Sequence, residues 1–95
     1  MGAIKRILIP KNLREVASLK PLTEVALCMK NYSLFFLVNI DEVSSENIIV
    51  KFVKLDDKGR ISFPPRYLRT ANLSEETVFL KGNRVYISFN HSICI

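Results

Sequence analysis

The feature that most constrains the fold is a segment that occurs twice in this 95-residue chain. Residues 6–10 read Arg-Ile-Leu-Ile-Pro and residues 60–64 read Arg-Ile-Ser-Phe-Pro, so the pattern recurs 54 positions later. A Leu-Arg pair follows each copy, at residues 13–14 and 68–69. A repeat of this length is a structural unit rather than a short motif, so the sequence predicts a domain of two similar halves.

Each copy predicts a short strand followed by a short helix. The strands end at Pro10 and Pro64, which have no N–H to donate to a central ladder and which suit the first turn of a helix. In the first helix, Leu13, Val16 and Ala17 share a face at helical spacing.

Two strands joined by a tight turn follow each helix. The turns are predicted at residues 30–31 and at residues 81–83, because Gly and Asn accept positive φ. An opening strand for the second half is predicted over residues 48–55, with Val50, Phe52 and Lys54 on one face. The first half has no counterpart to this strand. The predicted division is a single domain, 1–95, with a degenerate first half-repeat at 4–40, a polar acidic linker at 41–47, a second half-repeat at 48–89 and a terminal strand at 90–95.

The second copy carries a more specific motif. Residues 55–64 read Leu-Asp-Asp-Lys-Gly-Arg-Ile-Ser-Phe-Pro and resemble the swapped-hairpin DNA-binding family that includes AbrB, MazE, SpoVT and MraZ. Residues 78–82, Val-Phe-Leu-Lys-Gly, are most similar to MraZ. The family pattern is Asp-x-x-Gly-Arg-apolar-x-apolar-Pro, and its positions are filled here by Asp56, Gly59, Arg60, Ile61, Phe63 and Pro64.

The resemblance implies a mainly β fold with short helices, namely a swapped-hairpin, double-ψ-type β-barrel made from two copies of one unit. It covers residues 48–89 well and residues 4–38 faintly. Because this chain carries both copies, it is expected to close a pseudo-dimeric barrel. Whether one chain is the functional unit, or a homodimer or larger oligomer such as the MraZ ring, stays open.

The resemblance also implies a transcriptional regulator that contacts duplex DNA, and the charge agrees. Lys and Arg number 14 against 9 Asp and Glu, and the net charge is +5. Arginine suits phosphate because its planar guanidinium presents several donors, and each neutralised phosphate adds salt-dependent affinity. The predicted DNA-binding residues are Lys51, Lys54, Lys58, Arg60, Arg66 and Arg69, with Arg6, Lys11 and Arg14 as their counterparts in the first half.

Roles within this set differ. Arg60 is the first choice for DNA contact, with Lys58 beside it on the turn, whereas Asp56, Gly59 and Pro64 are expected to shape the turn. The alternative for Arg60 is a structural ion pair with one of the turn carboxylates.

The chain also departs from the family pattern. The basic helix position next to Arg69 is Leu68 here, and the basic position on the opening strand is Val53. The first half lacks the Asp-x-x-Gly turn. These departures leave two functions open, which are asymmetric DNA binding and a protein-interaction module on the same barrel, antitoxin-like or an assembly factor.

The sequence contains few features that indicate other classes of function. The one histidine, His91, has no nucleophile near it in a recognisable motif, and neither a metal-ligand cluster nor a Gly-rich phosphate loop is present, so we expect no enzyme, metal, cofactor or small-molecule substrate. The longest apolar run has five residues, against about 20 for a membrane span. Two cysteines, Cys28 and Cys94, are expected to be reduced thiols of a cytoplasmic, nucleoid-associated protein.

Overall fold

The computed structural model describes residues 5–31, 33–64 and 76–89, and within them the chain is mainly β. The predicted second helix, the terminal strand at 90–95, and the side chains of Arg66 and Arg69 lie outside the described residues. The elements in chain order are β1 (Lys5–Leu8), α1 (Lys11–Val16), β2 (Glu24–Asn31), β3 (Leu34–Asn39), a 3₁₀ helix (Ile40–Glu42), β4 (Ile49–Lys54), β5 (Arg60–Phe63), β6 (Glu76–Lys81) and β7 (Arg84–Phe89).

The described strands form two antiparallel sheets. Five strands pair in the order β4-β2-β3-β7-β6, and β1 pairs with β5 in a separate two-stranded sheet. The predicted closed barrel is not found among these strands. β4 and β6 are the edge strands of the larger sheet, and neither pairs with a strand of the smaller sheet. What is confirmed is a mainly β, antiparallel fold with a short helix.

The main core lies between the two sheets. On β1 and β5 the inward residues alternate with outward ones, so Ile7, Ile61 and Phe63 are each about 1% exposed. The five-stranded sheet contributes Phe35, whose ring lies edge-on to that of Phe63 with the centroids 4.9 Å apart. The two sheets therefore pack face to face through interlocking aliphatic and aromatic side chains.

The opposite face of the five-stranded sheet has a smaller apolar cluster of its own. It contains Ala26, Cys28, Phe36, Val38 and Tyr86, and Val43 packs against it. Val43 belongs to the predicted acidic linker, which connects β3 to β4 and so has to cross β2. The linker thus serves as a crossover that covers this face.

The first helix differs in detail from its prediction. Leu13 and Ala17 pack against the main core, as expected. Val16 is 51% exposed, so its predicted place on the buried face is wrong. The helix is only six residues long, and Leu19, which is 4% exposed, fills the core after a turn with positive φ at Ser18.

The opening strand of the second half also differs. The ladder between β2 and β4 shifts register between Leu27 and Cys28, so one residue of β4 is bulged. Cα partners across the ladder share a face, which puts Phe52 beside Ala26. Val50 packs instead against the main core on the other face, so the predicted common face of Val50 and Phe52 is wrong.

No helix among the described residues has the length and apolar character that crossing a bilayer requires.

Candidate nucleic-acid interface

The turn between β4 and β5 is organised by one carboxylate. Asp56 Oδ1 accepts hydrogen bonds from the backbone N–H groups of Arg60, at 2.8 Å, and Lys58, at 2.9 Å. The turn is closed by Gly59 N–H donating to the Asp56 carbonyl at 3.0 Å. Gly59 has φ +82°, a conformation that glycine adopts without steric cost. The residues predicted to shape the turn, Asp56 and Gly59, are thus brought together, and the buried Pro64 ends β5.

The side chain of Arg60 is engaged by the same carboxylate. Arg60 Nε donates to Asp56 Oδ2 at 2.8 Å, and about a third of each side chain remains exposed. Of the two alternatives for Arg60, the structure contains the ion pair. The pair fixes the direction of the guanidinium, which remains at the surface.

These contacts set the protonation state of the turn. The hydrogen bond from the backbone N–H of Arg60, with the Arg60 side chain and the Lys58 N–H adding to it, lowers the pKa of Asp56 to about 2. The carboxylate is therefore ionised throughout the physiological range, and the turn keeps its shape there.

Register in the small sheet places a second arginine on the same face as Arg60. Leu8 is the Cα partner of Arg60, and Arg6 is the partner of Ser62. Since Ile7 and its partner on β5 point into the core, these four alternate residues face outward. Arg6 and Arg60 are diagonal neighbours across the two strands, and the Cα atoms of such neighbours in antiparallel pairs are ~7–8 Å apart. Arg6 is exposed, and no ion pair is found for it within the described residues.

Arg14 joins this region from α1. An ideal Cβ built on Gly59 would lie 2.5 Å from both Cζ and Nε of Arg14, so the guanidinium rests directly against the turn. Arg14 Nε donates to the Ile9 carbonyl at 2.8 Å, which anchors it. Lys58 is exposed on the turn, and Lys11 is exposed at the start of the same helix. The basic face is defined here as Arg6, Arg14, Lys58 and Arg60, with Lys11 next to it.

Two predicted residues lie elsewhere. Lys51 and Lys54 are exposed on β4, at the edge of the five-stranded sheet. Their Cα partners are Leu27 and Glu24 on β2. The structure therefore does not place them on the outer face of the small sheet.

Three acidic side chains lie on the other side of the molecule. Asp41, Glu42 and Glu46 belong to the crossover, which packs on the far face of the five-stranded sheet through Val43. The small sheet packs on the near face. The crossover therefore gives the molecule an acidic side away from the basic face, whereas the exposed Asp57 and Glu15 lie beside that face, on the turn and on α1.

Sequence reasoning did not assign Leu8 and Ser62 to this surface. Leu8 is 55% exposed beside Arg60, although its sequence neighbours are apolar and buried. Inward and outward residues alternate strictly along β1 and β5, with Ile7 and Ile61 inward. This alternation is the sequence signal that could have identified Leu8 and Ser62 as outward residues.

The rest of the described chain offers little other chemistry. Among its His, Cys, Asp and Glu residues, no group of three or more is arranged to hold a metal ion. Cys28 is a buried free thiol, and burial raises its pKa. A scan against protein-family models, a search of curated proteins and a search of solved structures find no match to this chain.

Proposed function

We propose that this chain binds duplex DNA as a transcriptional regulator, through the basic face. The observation that carries the proposal is the pairing of Ile7 with Ile61, which puts Arg6 and Arg60 on one outward surface. These are the equivalent arginines of the sequence repeat. Guanidinium groups bind phosphate oxygens with several parallel hydrogen bonds, which suits them to a DNA backbone.

The finer fold proposal is that an internal twofold axis relates the two halves, as in the swapped-hairpin family. Strands related by such an axis pair antiparallel with equivalent residues opposite each other. Ile7 and Ile61 are Cα partners and lie 54 residues apart, as the repeat does. Phe36 and Tyr86 are also partners and lie 50 residues apart, as do the paired residues that close the two hairpins, Asn31 with Leu34 and Lys81 with Arg84. Both central pairs therefore support the axis.

Twofold symmetry in the protein suits the backbone symmetry of duplex DNA. The twofold symmetry between the two halves is incomplete. The Asp56 carboxylate is ion-paired with Arg60, whereas the first half of the sequence has no acidic residue equivalent to Asp56 to pair with Arg6. We assign the freer Arg6 to direct phosphate contact and Arg60 to a contact whose direction Asp56 fixes. Lys58 and Arg14 extend the contact to either side of the turn.

The test is a fluorescence-anisotropy titration of a labelled 30-base-pair duplex across salt concentrations. Arg6→Gln is expected to weaken binding about tenfold at low salt, since one charge-assisted hydrogen bond is worth ~1.5 kcal/mol. It should also reduce the slope of log K against log[salt] by ~0.9, because the variant neutralises one phosphate fewer.

Lys30→Gln is the matched control. It removes one positive charge from an exposed position that borders the crossover beside Glu46, on the acidic side of the molecule. We expect Lys30→Gln to leave the affinity nearly unchanged. An equal reduction in affinity for the two variants would mean that net charge rather than the basic face drives binding, and would refute the assignment.

The alternative function, a protein-interaction module, has one observation in its favour. Ile48, Ile49 and Phe52 are 37–59% exposed at the edge formed by β4. If the duplex shows no salt-dependent binding even at low ionic strength, the DNA proposal fails and this alternative takes its place.

A further inference from the structure

The outer face of the β1–β5 sheet has four outward residues, and two of them are the arginines at one pair of diagonal corners. The other diagonal consists of Leu8 and Ser62. These two residues occupy the same position of the sequence repeat, 54 residues apart, so one half has an apolar side chain where the other has a hydroxyl. The face is therefore symmetric in its charges and asymmetric in its other two side chains.

Leu8 is an apolar side chain on a face that otherwise carries polar groups. It is 55% exposed and lies directly opposite Arg60. The Arg60 guanidinium is ion-paired with Asp56 on the turn, with 2.8 Å between Nε and Oδ2, and it leaves Leu8 uncovered. Removing an apolar side chain from water is favourable, so a ligand of the basic face binds best if it offers an apolar group to Leu8.

The β1–β5 sheet has the dimensions of an element that enters the major groove of DNA. Two paired strands lie ~4.8 Å apart, and the major groove, which is about 12 Å wide, admits a two-stranded ribbon. The neighbouring elements are less suited to close approach, because Glu15 is exposed on α1 and Asp57 is exposed on the turn. The outward residues of the two-stranded sheet include no acid. This sheet is therefore the part of the basic face best suited to reach base edges.

The major groove presents one apolar group, the C5-methyl group of thymine. We propose that Leu8 packs against the C5-methyl group of a thymine while the β1–β5 sheet lies in the major groove, which makes Leu8 a specificity-determining residue. The inference rests on the proposed function, since it requires DNA to bind the basic face.

The place of Leu8 in the repeat determines the symmetry of the DNA site. Ser62, in the corresponding position, presents a hydroxyl that both donates and accepts hydrogen bonds and so does not require a methyl group. Arg6 and Arg60 have longer side chains and contact phosphates, which carry no sequence information. The recognised site therefore requires thymine in one half only, although the arginines are symmetric.

The test measures whether binding depends on the thymine methyl group. A duplex is selected with the full chain from a random 30-base-pair pool, and it is then synthesised with thymine or with deoxyuridine, which lacks only the C5-methyl group. The wild-type chain is expected to bind the deoxyuridine duplex about fourfold more weakly, the ratio that corresponds to ~0.8 kcal/mol for one buried carbon group. Replacing one thymine at a time should place this loss in one half of the site.

Leu8→Ala is the test variant, and it should bind the two duplexes equally. Because Leu8 is exposed, the substitution should leave the fold intact. Ile40→Ala is the matched control, since Ile40 is 43% exposed on the 3₁₀ helix, next to the crossover on the acidic side. This control should keep the fourfold preference of the wild-type chain.

Three results overturn the inference: a selection that enriches no sequence, equal binding of both duplexes by the wild-type chain, and a preference that persists in Leu8→Ala. The proposed function survives each of these results if binding is still salt-dependent and is weakened by Arg6→Gln. Failure of the chain to bind any duplex at low salt refutes the proposed function and this inference together.

Discussion

Replacing Gly59 with alanine tests how tightly the turn between β4 and β5 is built. Gly59 has φ +82°, and an added Cβ would lie 2.5 Å from both Cζ and Nε of Arg14. Arg14 cannot move aside without cost, because its Nε donates to the Ile9 carbonyl at 2.8 Å. The alanine therefore meets both a conformational penalty and a steric one.

The two contributions can be separated with a second glycine. An alanine in the left-handed region costs about 1–2 kcal/mol. Breaking the Arg14 hydrogen bond adds about 0.5–1.5 kcal/mol, so Gly59→Ala should destabilise the fold by about 1.5–3.5 kcal/mol. Gly82 has φ +66° with no atom within 4 Å of an added Cβ, so Gly82→Ala carries only the conformational cost.

The assay is urea unfolding followed by circular dichroism, with both substitutions made in the wild-type chain and in an Arg14→Ala background. In that background Gly59→Ala should cost the same as Gly82→Ala, because the group it meets is gone. Two results would refute this account of the turn. One is that Gly59→Ala and Gly82→Ala are equally destabilising in the wild-type chain. The other is that Gly59→Ala remains more destabilising than Gly82→Ala in the Arg14→Ala background.

Three further substitutions test the core and the turn. Phe35→Ala should cost about 3–5 kcal/mol in urea unfolding, because the ring is fully buried between the sheets. Leu19→Ala should destabilise the fold by about 2–5 kcal/mol, because Leu19 is buried in the core. Val16→Thr should change stability by less than about 0.5 kcal/mol, because Val16 lies on the exposed face of the helix. Asp56→Asn should lower the urea midpoint at pH 7. The native pKa of about 2 lies below the ordinary value of ~3.9, so the gap between wild type and variant should be full above about pH 4 and close as the pH falls toward 2. A gap that stays constant over this range would contradict the role given to the carboxylate.

Local features of the fold were predictable from the sequence. Gly82 marks the hairpin turn between β6 and β7, where it has φ +66°. Pro10 separates β1 from the first helix as expected. Asp56 and Gly59 form the predicted turn, since side-chain capping and positive φ depend on neighbours within four residues. The residues that determine such features lie within the turn itself or next to it in the sequence.

Features that depend on distant parts of the chain were not predictable in the same way. The register of β1 against β5 joins residues 54 positions apart, and the repeat indicates the equivalence of the strands but not that they pair. Burial of Leu19 rather than Val16 follows from where the helix ends against the sheet. The bulge in β4 moves Val50 to the core side, which strand alternation alone does not indicate. For Arg60 the sequence offered two roles of similar plausibility, since the carboxylate that binds it lies four residues away.

The central claim is that DNA contacts the outer face of the β1–β5 sheet, and an NMR titration of the full chain with a short duplex tests it most directly. Amide signals of Arg6, Leu8, Lys58 and Ser62 should shift as DNA is added, while signals of the crossover at 41–47 should stay in place. The predicted result is a set of shifts confined to the basic face. Shifts centred on the crossover, or on β4 without the small sheet, would contradict the account.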